Sequence, residues 1–228
     1  SQGTGSAVTR GLYAWIEQNT LFYVAGTEFG SQAADGTRTV LGTVADGGPV
    51  TKVNSFERLA ISSGGRLYYW DLSTLVEVTD TRLGVCLDVE WLGGYFVSTD
   101  GEFIVTTDLT DPTVIRPFDY ENPESSPDPV VAVLRTRNEV NALGRITIEV
   151  FSNIGGSAFP LATIPGAQVQ RGVIGTHACC LFLDRIAFLG SGPNEAPSIY
   201  LAAGGSTEKI STDEVDKLLS FIPEAQLA

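Results

Sequence analysis

His177 is the only histidine in this chain of 228 residues, so any Ser–His–Asp or Cys–His mechanism must run through it. It stands in "GTHACCLFLD", beside an apolar run and close to Cys179 and Cys180. A nucleophile and its base must come within hydrogen-bond reach, and residues two or three apart on one strand rarely do. His177 therefore reads as a structural or surface residue. Zinc would need tetrahedral ligation from this one His and three Cys, without a CxxC pair to start from. Neighbouring residues on a strand face opposite sides, so a Cys179–Cys180 bridge would be strained. Cys86, Cys179 and Cys180 read as small buried hydrophobes in a reducing compartment.

Two carboxylates facing across a pocket could serve a glycosidase, and Glu149 and Asp100 are the ones to watch. Yet "STDGEFIV" matches the Asp-box of sialidase blades only loosely, lacking the later glycine and the closing aromatic. Glu149, mid-strand in "ITIEV", is expected to face solvent. Asp108 and Asp111 are too few for a calcium loop of alternating acids. "GSGPNEAP" lacks the GK[ST] and helix start of a phosphate cradle. Arg135, Arg137 and Arg145 could form a small basic patch, though a solvated hairpin explains them as well. No residue is assigned a catalytic, cofactor-binding or metal role.

The elements that would carry such residues are hairpins. "LYAWIEQNTLFYVAG" places two aromatic-rich runs around Gln18-Asn19, "RLAISSGGRLYYWD" does so around Gly64-Gly65, and "GYFVSTDGEFIVTTD" around Asp100-Gly101. "TRNEVNALGRITIEVF" turns at Leu143-Gly144, and "RIAFLGSGPNEAPSIYLAAGG" through Pro193-Asn194. Gly-Gly and Asp-Gly between alternating apolar runs are strong hairpin signals, because a two-residue turn needs positive φ. The turns are spaced by 46, 36, 43 and 50 residues. Four-stranded sheets of that length are the units of β-propellers. One full unit can be drafted as "PVVAVLR", "EVNAL", "RITIEVF" and "FPLATI". A lone hairpin cannot bury its apolar face, whereas a closed array can. The expected fold is all-β, a propeller-like array of antiparallel hairpins with one short C-terminal helix. That helix runs from about Ser211 to Phe221, with Ser211 and Glu214 as a capping box and an apolar stripe of Val215, Leu218, Leu219 and Ile222.

Residues 1–7 read as a flexible lead-in or an expression scar, and 8–228 as a single domain. The absence of Met, even at position 1, suggests a processed or excised piece of a longer protein. No run of 18 apolar residues exists to span a membrane, and no secretory signal is visible. Net charge is −13. From Asp88 to Asp128 there are ten acidic residues and one basic residue, Arg116. That field repels nucleic-acid phosphates, and suits a cation site, a basic partner, a channel wall to which DNA must not stick or a plain solubilising face. Within it, the proline-rich stretch 108–128 reads as an ordered excursion anchored by Val114, Ile115, Phe118 and Tyr120.

With these residues in view, the chain resembles the packaged-DNA stabilisation, or tail hub, proteins of short-tailed bacteriophages. The resemblance is carried by "RNEVNALGRITIEVFSNIGG", "GAQVQRGVIGTH", "FLDRIAFLGSGPNEAPSIYL" and "EKISTDEVDKLL", preceded in family order by "VTRGLYAWIEQNTLFYVAG" and "RLYYWD". It covers roughly Val8 to Leu219. It implies a non-enzymatic structural component of the virion tail or neck, made in the bacterial cytoplasm and used without a cofactor. Such proteins assemble as a homo-oligomeric ring beneath the portal protein, contact other tail accessory and needle proteins, and help retain packaged DNA, which passes nearby without sequence-specific binding. No membrane is involved. A carbohydrate-binding or glycosidase-type propeller is the alternative.

Overall fold

The computed structural model describes residues 7–115, 120–121, 128–155, 159–192 and 195–227. Its internal contacts gather into two compact units, Ser1–Thr79 and Asp80–Ala228. Residues 1–6 of the expected lead-in (1–7), the turn at Pro193-Asn194 and residues 116–119 and 122–127 of the proline-rich stretch lie outside the described residues. No helix among those described is long and apolar enough to cross a membrane.

The first unit holds two antiparallel sheets in chain order. One is β1 (Thr9–Trp15), β2 (Thr20–Ala25), β3 (Glu28–Gln32) and β4 (Arg38–Thr43); the other is β5 (Thr51–Asn54), β6 (Leu59–Ser63), β7 (Arg66–Trp70) and β8 (Leu75–Glu77). Gly64 and Gly65 join β6 to β7 with φ of 57° and 77°, the left-handed pair a two-residue turn demands. Trp15, Phe22, Val24 and Phe29 from the first sheet pack with Leu59, Ile61, Tyr68 and Trp70 from the second. Phe22 stacks on Phe29 at 5.8 Å between centroids, and Phe29 meets Trp70 edge-on at 5.9 Å. Each sheet thus supplies the apolar cover that the other lacks.

Two cations are buried in this unit, Arg10 and Lys52, and Arg10 is fully used by the carbonyls of Gly26, Ala45 and Gly48 and the Ser63 hydroxyl. Lys52 on β5 is 9% exposed, and its Nζ has no hydrogen-bond partner among the described residues. A Cβ on Gly11 of β1 would stand 2.7 Å from that nitrogen, so the ammonium rests on β1 where only glycine leaves room. Burial, then the neighbouring Arg10, brings the Lys52 pKa down to about 8.

The second unit holds three sheets and the helices. The first of these sheets is β9 (Asp88–Leu92), β10 (Tyr95–Thr99), β11 (Ile104–Thr106) and β12 (Tyr120–Glu121). The next is β13 (Val130–Thr136), β14 (Glu139–Gly144), β15 (Ile148–Asn153) and β16 (Leu161–Thr163), which is the unit drafted from sequence. The last is β17 (Gly172–Val173) and β18 (Cys179–Phe182), both paired to β19 (Arg185–Ser191), then β20 (Ser198–Ala203) and β21 (Ser206–Lys209). The β13–β16 sheet is covered on both faces. Val140, Ala142 and Phe151 pack with Leu92, Val97 and Ile104, while Leu143 and Ile148 pack with Ile186, Phe188 and Tyr200.

Three local expectations are corrected. Leu143-Gly144 is not a turn: both residues are buried in β14, and the chain turns at 137–138 and again at 145–147. Asp128 fixes the second turn, its carboxylate accepting the backbone N–H groups of Arg145, Ile146 and Thr147 at 2.7–2.8 Å. The helix α1 is shorter than expected, Asp213–Leu219, and Thr212 is its N-cap. The Ser211 hydroxyl is engaged elsewhere, accepting from Ile199 N and bonding Asp216. Val215 and Leu219 are half-buried, but Leu218 is exposed. A four-residue helix, α2 (Glu224–Leu227), follows.

Candidate docking surface

The residues considered for chemistry are dispersed. His177 is exposed on the connection leading into β18. Burial foremost, then Asp88 and Cys180, pushes the Cys179 thiol up to about 12, the opposite of an activated thiolate. Cys86 is buried as expected, but Cys179 is half-buried and Cys180 exposed. The Asp100 carboxylate accepts the N–H groups of Glu102 and Phe103 in its own turn. Asp108 and Asp111 do likewise for Thr110 and Thr113, which is turn-forming work. Among the described residues no three His, Cys, Asp or Glu side chains gather as metal ligands would.

Glu149 does not face solvent; it is 5% exposed on the side of β15 that also carries Phe151. The basic patch does not form. Arg135 lies over the Trp91 ring, 5.8 Å from its centroid, and donates to Trp91 O at 3.0 Å. Arg145 sits at the far end of β14 from Arg137 and is bonded to Ile174 O and Glu224.

Among its described residues the acidic segment does not make an open wall. Of its seven carboxylates with described side chains, only Glu102 and Asp111 are exposed. Asp88 and Glu90 serve as acceptors for the edge of β13. One oxygen of Asp88 takes the N–H of Val133 at 2.9 Å, and one of Glu90 takes that of Arg135 at 3.2 Å. These amides point away from β14 and would otherwise be unmet at the open edge of a sheet. Thr99 and Thr176 hydroxyls complete the edge by donating to Val130 O and Val131 O. Burial raises the pKa of Glu90, against the lowering effect of the two amides it accepts from and of Arg135.

Apolar surface and a cavity stay open in each unit: in the first, Ile16 and Phe56 are exposed and about 370 Å³ opens beside Trp15 and Leu21; the second offers a larger site. At the β18–β19 turn, Leu181 is 51% exposed, Phe182 53% and Leu183 83%. Leu183 and Asp184 hold φ of 48° and 59°, a left-handed pair without glycine. Beside Asp184 opens a cavity of about 430 Å³ between the β13–β16 sheet and the β17–β21 sheet. Its described lining has aliphatic residues below and Arg137, Glu139 and Asp184 among the polar ones, with no aromatic ring for a sugar to stack on. Sequence reasoning missed this site, since no motif marks it.

A family profile described as bacteriophage P22 Gp10, beta-propeller, matches residues 1–228. The tail hub protein gp10 of Salmonella phage P22 is 27% identical over 244 residues. That alignment takes in 98% of this chain and 50% of the relative, so the chain spans about half the relative's length. Virginiamycin B lyase from Staphylococcus aureus superposes with a TM-score of 0.65 at 10% identity, over 92% of this chain and 72% of the lyase. The β-propeller domain of Cps50 (Swd1) from Myceliophteria thermophila gives 0.59 at 11% identity, over 89% and 72% of the two chains. At such identities the likeness is one of fold: the repeated sheets are propeller-type blades.

Proposed function

Because the chain belongs to the phage-stabilisation family described as bacteriophage P22 Gp10, a β-propeller, we propose that it is a non-enzymatic structural part of a phage tail hub. The observation that carries this reading is the family match along the whole chain, joined by 27% identity to a protein named for that role. The working parts are then surfaces that hold neighbours in place. The finer reading is a component that docks as a ring beneath the portal, meets other tail accessory or needle proteins, and helps keep packaged DNA inside. A net charge of −13 supports the last point, since such a surface lets DNA pass without adhering.

The test is assembly. Full-length protein mixed with purified portal should form a complex that sediments as one species, and virions made without it should lose their genomes. Genome-retaining virions lacking the protein would end the stabilisation reading; separate sedimentation would end the portal reading.

A further inference from the structure

The cavity of the second unit backs onto the core shared by its two sheets. Ile148, Val150, Val169 and Ile186 are buried residues that make its floor aliphatic. Set among them is Asn141, 5% exposed. Its Nδ2 donates to Leu134 O at 3.1 Å and Thr136 Oγ1 at 2.8 Å, which fixes the orientation of the amide. Its Oδ1 receives no donor among the described residues. That oxygen is not sealed from solvent, so it is open to a donor that enters the cavity.

Two carboxylates stand with it, Glu139 and Asp184, and neither side chain has a hydrogen bond or ion pair with the described residues. The Arg137 guanidinium, also at the lining, is equally uncommitted. Arg137 and Asp184 are non-glycine residues held at φ of 55° and 59°, so turns from two different sheets spend conformational strain at one site.

An aliphatic floor beneath three acceptors is the complement of a flexible alkyl stem ending in an ammonium, which brings three donors and no acceptor. Arg137 would repel a free diamine but can donate to a main-chain carbonyl. The exposed Leu181, Phe182 and Leu183, next to Asp184 in the chain, offer apolar contact to the same segment. We propose that the cavity receives a lysine side chain from a docking polypeptide of another tail component. This inference rests on the tail-hub reading and names the chemistry of one partner segment.

Methyl NMR of the chain tests it with three probes: Nα-acetyl-lysine N-methylamide, its norleucine counterpart and cadaverine. The lysine amide should shift the Ile148, Ile164 and Ile186 methyls saturably, and bind at least roughly tenfold more tightly than norleucine. Cadaverine should bind more weakly than the lysine amide, and Glu139→Gln with Asp184→Asn should abolish the preference for lysine over norleucine. Equal binding of norleucine would leave only an apolar cleft, and tighter binding of cadaverine would mean a free-amine site; either overturns the proposal, as does no saturable shift. Virion incorporation of the full-length protein separates the two readings. If it enters virions while the lysine amide fails to bind, the cavity assignment falls and the tail reading stands. If it enters none, the tail reading falls whatever the probe does.

Discussion

Lys52 shows what one residue costs. Its ammonium is buried on β1 without a hydrogen-bond partner among the described residues, and the like-charged Arg10 disfavours its proton further. The folded pKa of about 8 lies below the ordinary 10.5, so the unfolded chain holds the proton more tightly. Below pH 8 the full penalty is present, on the order of 3 kcal/mol. Between about 8 and 10.5 the unfolded state binds more protons, so stability should rise with pH across that window. Lys52→Met should raise stability at pH 7 by about 2–3 kcal/mol and remove the lysine's contribution to that rise. Urea melts at stepped pH read both effects. Asp128 is the opposite case, a carboxylate fully used. Asp128→Ala should cost about 3 kcal/mol, because three turn amides lose their acceptor at once; denaturant midpoints of the two chains give the value.

At the scale of elements, the turns decide how much the sequence reveals. Gly64-Gly65 announces its hairpin because glycine alone adopts positive φ freely. Arg137-Asn138 and Leu183-Asp184 make turns without that signal, and the fourth hairpin, which turns at 145–147, was expected two residues too early, at a Leu-Gly pair that lies inside a strand. Replacing Leu183 with Asn, which tolerates the left-handed region, should stabilise the turn by about 0.5–1 kcal/mol. A shift of the thermal midpoint in the other direction would show that the leucine is held by contacts instead. The helix cap was misplaced by one residue because the Ser211 hydroxyl accepts from Ile199 N on β20, a partner that no local pattern can announce. Strand existence was legible where two apolar runs flank a turn signal, as in β6–β7 and β19–β20; β3, β4, β5 and β8 were not singled out, and β14 and β15, covered on both faces, lose the period-two pattern. The cavity was not: Asn141 in "EVNAL" is one polar residue among apolar ones, and only the fold shows what it faces. Asp88→Ala belongs here too. It should speed hydrogen exchange at the Val133 amide far more than at Ala142, whose pairing lies within the sheet.

For the whole molecule the governing quantity is charge. Formal charge of −13 over 228 residues makes the folded chain repel itself, and salt relieves that strain. The thermal midpoint should therefore rise as sodium chloride goes from roughly 10 mM to roughly 150 mM, by a few degrees. A midpoint that falls would mean that ion pairs such as Arg171–Glu195 outweigh the net repulsion. The charge count itself was legible, but its placement was not. Sequence counting treated the acids between 88 and 128 as one exposed field, whereas the chain has drawn most of those described inward to meet amides.

Asp88 and Glu90 grip Val133 and Arg135, two residues apart on each side. Sliding β13 by a single residue would present each carboxylate with a position whose amide faces the wrong way, so the join has notches and no intermediate stops. Such a joint resists creep: under a steady push it either holds its setting or lets go at both teeth together.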